Sequence, residues 1–150
     1  MRIVLLTAFM TTMWSATALA ETPPAPPAPP PFFVEASDCA AAFEARVVER
    51  KAQPRSDARN RAILADTELG FAFVAQAYKK GLRNPEADQM LKAAEKRWAT
   101  LSKTEQQNRL SSCSVKGQQL MRDFSAFERF LVKNRAQARV DRLLRKEAER

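Results

Sequence analysis

Histidine is missing from this sequence, glycine occurs only three times, cysteine twice and tyrosine once. Each scarcity excludes something. Without histidine there is no Ser-His or Cys-His nucleophile system, and the side chain that titrates nearest physiological pH is missing. A zinc site would need an all-carboxylate shell if both cysteines are bonded to each other. The spacings of a dinucleotide turn, a phosphate loop, a nucleophile elbow and a calcium loop do not occur. Nor does any Val/Ile/Thr alternation of period two, so strands are not expected. After the first twenty residues no apolar run approaches a membrane span.

Those first residues, "MRIVLLTAFMTTMWSATALA", read as a cleaved signal peptide. Arg2 supplies the positive start, Ile3 to Met13 the apolar stretch, and Ala18-Leu19-Ala20 the small-x-small site after which a signal peptidase cuts. An uncleaved anchor is the alternative, but the run is shorter than the ~20 residues that cross a bilayer. Position 21 is Glu rather than Cys, so no lipid-attachment signature follows. The expected product is soluble and exported, either periplasmic or secreted. Residues 21–33, "ETPPAPPAPPPFF", hold seven of the nine prolines and read as an extended spacer of roughly 30–35 Å at ~3.1 Å per residue. PxxP spacing within it also occurs in recognition ligands.

In an oxidising compartment Cys39 and Cys113 are expected to pair as a structural disulfide. A reactive or metal-binding pair would call for CxxC spacing or histidine, and neither is present. The formal charge is +8, which suits polyanionic partners or, more simply, solubility, since acids and bases are interspersed along the chain.

From Asp38 onward the composition is helix-forming. Helix one is expected from a Ser37/Asp38 cap to about Lys51, with Cys39, Phe43 and Val47 on one face. Helix two follows the Ser56/Asp57 cap and ends near Lys80, with Gly81 just past its terminus. Ile63, Leu64, Leu69, Phe71, Phe73, Val74 and Tyr78 give it an apolar set wide enough for the centre of the fold. Helix three begins at an Asn84 cap with Pro85 in its first turn. It carries Ala87, Leu91, Ala94, Trp98 and Leu101. "SKTE", residues 102–105, matches the reciprocal box of a serine and a glutamate three residues later that starts a helix.

In "RLSSCSVKGQQLMRDF", residues 109–124, Gly117 falls on the apolar stripe Leu110, Cys113, Gly117, Leu120, Phe124, Phe127, Leu131 without resetting its phase. This predicts one long fourth helix from about Lys103 to beyond Leu144. Gly117 would be a close-packing notch that admits helix one, so that Cys39 reaches Cys113. A glycine-capped break at 117 is the rival. A helix of that length outruns a domain of this size, so residues 133–150 are expected to project as a basic end. This end is the candidate contact surface: Arg135, Arg139, Val140, Arg142, Leu143, Arg145 and Lys146.

Catalysis is poorly supported. Glu68 on helix two is the one carboxylate weighed as a general acid, and its commoner role is an ion pair with an arginine of a neighbouring helix. Asp123 and Glu128 are expected in surface ion pairs near Arg122 and Arg129, and Asp141 with Arg145. The basic end lacks aromatics to stack on bases, which speaks against nucleic acid. A second basic cluster, Arg46, Arg50, Lys51, Arg55, Arg59 and Arg61, surrounds the turn between helices one and two. The expectation is therefore an all-α, single-domain four-helix bundle with an over-long C-terminal helix and one disulfide. Its expected role is a non-enzymatic exported module, with no cofactor or metal, that contacts a protein partner or a second copy of itself. Binding of anionic envelope material, lipid or acidic glycan, through the basic end is the alternative. A carboxylate-dependent hydrolase is the remote one.

Overall fold

The first helix, α1 (Pro31–Lys51), starts where the proline run ends. The computed structural model describes residues 28–149, so the signal-peptide segment 1–20 and most of the spacer lie outside the described residues. Pro30 is the N-cap and Pro31 the first helical residue. Proline suits that position because its fixed φ is already helical and its missing N–H would have no partner there. The expected cap at Ser37/Asp38 is therefore corrected. Ser37 is buried mid-helix, and the Asp38 carboxylate accepts from Arg97 Nη2 at 2.6 Å and Arg109 Nη1 at 2.7 Å, which joins α1 to two later helices. Phe32, Phe33 and Val34 pack against the largest core cluster, formed by Ala36, Cys39, Phe43, Phe73, Ala77, Leu82, Met90 and Cys113.

α2 (Asp57–Lys79) begins as expected, with Ser56 Oγ accepting from the Arg59 amide at 3.1 Å. It ends in a Schellman motif. Gly81 has φ +108°, Leu82 N–H donates to Ala77 O at 3.0 Å and Gly81 N–H to Tyr78 O at 3.1 Å. A side chain at Gly81 would be strained by that φ. α3 (Glu86–Thr100) has Pro85 as its N-cap residue. Asn84 does not cap it, because its side-chain oxygen accepts from the Tyr78 hydroxyl instead.

α4 (Lys103–Asp123) starts with the predicted capping box: Glu105 N–H donates to Ser102 Oγ at 3.3 Å and Ser102 N–H to Glu105 Oε2 at 2.8 Å. It runs through Gly117 without a break. Cys39 and Cys113 are disulfide-bonded, with their Cα atoms 5.4 Å apart. The notch, however, admits a different helix from the one expected. A Cβ at Gly117 would lie 3.2 Å from both Leu69 Cδ2 and Phe73 Cε2, so it is α2, not α1, that fills the space.

The long fourth helix is two helices. α4 stops at Asp123, and α5 (Ala126–Ala148) starts after Ser125, giving five helices among the described residues instead of four. "SAFE", residues 125–128, is a second capping box: Glu128 N–H donates to Ser125 Oγ at 3.2 Å and Ser125 N–H to Glu128 Oε2 at 2.7 Å. Arg129 spans the corner by donating to the Arg122 and Phe124 carbonyls. Unbroken apolar spacing hid the break because Phe124 is buried at the corner itself.

Nor does the basic end project. α5 folds back along α2 and buries Val132, Ala136 and Val140. Val140, 2% exposed, packs with Val47, Ile63, Leu64, Leu143 and Leu144. Burying this stripe costs the chain nothing in backbone satisfaction, whereas projecting it into water would forgo roughly 1.5–3 kcal/mol per large apolar side chain.

Candidate interaction surface

The arginines of the α1–α2 turn largely serve the fold. Arg59 is 5% exposed. It donates to Gln53 O at 3.1 Å, to Asn60 Oδ1, and to both Glu147 oxygens at 2.9 and 3.0 Å. Arg55 Nε joins it on Glu147 Oε1 at 3.1 Å. The hydrogen bond from Arg59, reinforced by Arg55, holds the Glu147 carboxyl below the usual glutamate range. A buried guanidinium needs such partners, since an unpaired charge in the interior is expensive. The clasp locks the last turn of α5 to the first turn of α2 and the loop before it. Arg46 and Arg50 share the Asp66 carboxylate in the same way.

These contacts rearrange the predicted contact surface. Of its residues, Val140 is buried and Leu143 half-buried. Arg139 is engaged with Glu44 at 2.6 Å. Arg135, Arg142, Arg145 and Lys146 remain exposed. The face is thus split: its apolar members point into the fold and only some of its bases face water. Asp141 accepts from Gln137 at 2.7 Å and not from Arg145. Asp123 accepts from Gln119 at 2.8 Å, and Glu128 pairs with Lys79 at 2.8 Å. Glu68 makes no ion pair among the described residues; Asp66 is the helix-two acid that holds arginines.

A cleft of about 800 Å³ lies over the disulfide and is lined by Pro29, Pro31, Val34, Asp38, Leu101 and Arg109 among others. Its carboxylates are all committed. Glu35 meets Lys116, Asp38 meets Arg97 and Arg109, and Glu105 closes the α4 capping box. The Ser102 hydroxyl and amide hold Glu105 below the usual range. Among the described residues no three His, Cys, Asp or Glu side chains cluster as a metal site would require.

Val48 and Val115 are exposed singly, but the exposed apolar side chains gather elsewhere. On the first half of α5, Phe127, Phe130 and Leu131 are 68, 62 and 38% exposed. Their spacing of three and four places them on one face of the helix. Beside them a groove of about 480 Å³ runs between α2 and α5. Phe71, Val74, Ala75 and Tyr78 form its α2 wall, and Phe124, Leu131 and Val132 its opposite wall, with Lys79, Glu128 and Arg135 on the rim. The Lys79 ammonium, then the Ser125 amide and hydroxyl, pull the Glu128 carboxyl down to about 2, so this carboxylate stays ionised across physiological pH.

Sequence reasoning placed Phe127 and Leu131 in a buried seam and overlooked Phe130. One signal was available. Leu120, Met121, Phe124, Phe127, Phe130, Leu131 and Val132 wrap too far around a helix to be covered by a single neighbour, and a second S-x-x-E lies in their midst. Among the described residues no helix is long and apolar enough to cross a membrane. No protein-family model, curated protein or solved structure matches this chain.

Proposed function

We propose that this protein is an exported, non-enzymatic interaction module that holds a protein partner on the α2–α5 face. One observation carries the reading: Phe127 and Phe130, each more than 60% exposed, share a face of α5 with Leu131, which also walls the groove between α2 and α5. Large apolar side chains gathered on one exposed face mark contact surfaces far more often than chance placement does. The proline-rich stretch before α1 would hold this module away from its neighbours, and the "ALA" site at 18–20 supports release of the chain into an oxidising compartment, as does the disulfide. Mass spectrometry of envelope protein tests the export: the expected mature chain begins at Glu21, and a chain that retains Met1 speaks against it. The double substitution Phe127→Asp/Phe130→Asp tests the face. Pull-down from envelope extract is expected to lose its specific partners, with the helical circular dichroism unchanged. Retention of all of them would exclude this surface.

A second reading has its own support. Arg142, Arg145 and Lys146 are exposed near the end of α5, which suits weak, salt-sensitive attraction to anionic envelope material. Reversing these three charges is expected to remove any such attraction without touching contacts at Phe127.

A further inference from the structure

We infer that the groove between α2 and α5 holds a single-chain amphiphile with one negative charge, of which a fatty acid is the simplest; this goes beyond the protein-contact reading and rests on neither Phe127 nor Phe130.

The size and walls of the groove argue for a slender apolar ligand. Its volume of about 480 Å³ lies within the range of about 300–1,000 Å³ usual for small-molecule clefts, which are apolar with a few placed polar groups. Phe71, Val74, Ala75 and Tyr78 on the α2 side are only half-buried. The Tyr78 hydroxyl donates to Asn84, so its ring is what Tyr78 offers the groove. Lys79, the last residue of α2, reaches Glu128 in the first turn of α5 at 2.8 Å and bridges the groove near its end. A second helix, about 10–12 Å across, would have to part that pair to lie along the floor. An acyl chain, which carries no side branches, passes beside it.

The charge argues for a monoanion. Lys79 and Glu128 answer each other, and Glu128 is the one acid on the lining among the described residues. That leaves Arg135 as the single unmatched charge of the groove. It is exposed, and among the described residues it takes part in no ion pair and no side-chain hydrogen bond. One guanidinium fork matches one carboxylate through two parallel hydrogen bonds, whereas a cationic head would be repelled. Arg135 lies seven residues from Glu128, so a head group on Arg135 leaves about 10 Å of wall for the tail, past Leu131.

Calorimetric titration of the full-length, disulfide-bonded protein with decanoate, below the concentration at which it forms micelles, tests the inference. Binding is expected to tighten about fourfold for each methylene added from hexanoate upward, and to level off once the tail outruns the groove. Arg135→Ala should weaken decanoate binding at least about tenfold, while Arg142→Ala, two turns on and outside the lining, changes it less than about twofold. Leu131→Asp, at a position 38% exposed, should abolish binding with the helical circular dichroism unchanged. Decanol should bind more weakly than decanoate and ignore Arg135→Ala, and decyltrimethylammonium should not bind. Binding of decyltrimethylammonium as tight as that of decanoate overturns the inference, and so does equal loss in Arg135→Ala and Arg142→Ala. No decanoate binding at millimolar concentration, or binding only as micelles, overturns it too. Phe127→Ser/Phe130→Ser should bind decanoate as the parent does; a loss as large as that of Arg135→Ala would put the ligand on the exposed face and overturn the groove. None of these outcomes touches the protein-contact reading, which the pull-down decides.

Discussion

Around Cys39–Cys113 the helices are joined by a covalent bond and by a core that draws on α1, α2 and α4 at once. Around α5 the attachment is a thin line: Val132, Ala136 and Val140 inward, the Arg59–Glu147 clasp at one end and the Lys79–Glu128 pair at the other. The first region exposes only the isolated valines Val48 and Val115 among its large apolar side chains. The second leaves Phe127, Phe130 and Leu131 in water. A chain that exposes single valines at one end and a run of three large apolar side chains at the other has a surface at the second that its own fold leaves uncovered.

This contrast can be broken from either side. The largest effect is expected at the covalent end. Replacing Cys39 and Cys113 by alanine releases a cross-link separated by 74 residues and should cost ~4.5 kcal/mol on the chain-entropy account, measured as a shift of the urea midpoint. If the loss instead falls within error, the two ends are equally self-sufficient and the contrast is wrong. At the α5 end Val140→Ala should cost about 2 kcal/mol by opening a void against Val47 and Ile63, with amide exchange accelerating across 126–148 and not across 103–123. Uniform acceleration would mean that the helices open together.

Smaller effects sharpen the corner between the regions. Ser125→Ala removes the acceptor for the Glu128 amide and should cost about 1 kcal/mol; the matching change at Ser102 reports the same box on α4, so the pair shows whether the second break is held as firmly as the first. Acid titration should give the smallest effect. Glu128 is held at about 2 against an ordinary value of 4.5. Its folded-state pKa is depressed, so its contribution to stability is full above about pH 4.5 and is lost as the pH falls toward 2. Glu105 and Glu147 shift in the same direction. In Glu128→Gln the stability of α5, followed by amide exchange between pH 6 and 2, should depend on pH less steeply than in the parent chain. An unchanged profile would show that the carboxylate carries no such linkage.

Local chemistry determined much of this molecule in advance. Ser56, Ser102 and Gly81 mark helix ends through bonds that a residue makes within a few positions of itself, and such bonds are written in the chain. The absence of strands among the described residues and the pairing of the two cysteines likewise follow from composition and number. Even Ser125/Glu128 was legible, although an apolar phase that continued across the break concealed it. What only the tertiary structure decided is which partner each face meets. Gly117 was recognisable as a notch, but that α2 fills it depends on where Leu69 and Phe73 come to lie. Val140 and Phe127 are both large apolar residues on the same helix; one is buried and the other is not because α2 runs beneath only one side of α5. Periodicity measures the angle between side chains about an axis, and a neighbour's position is no part of that angle.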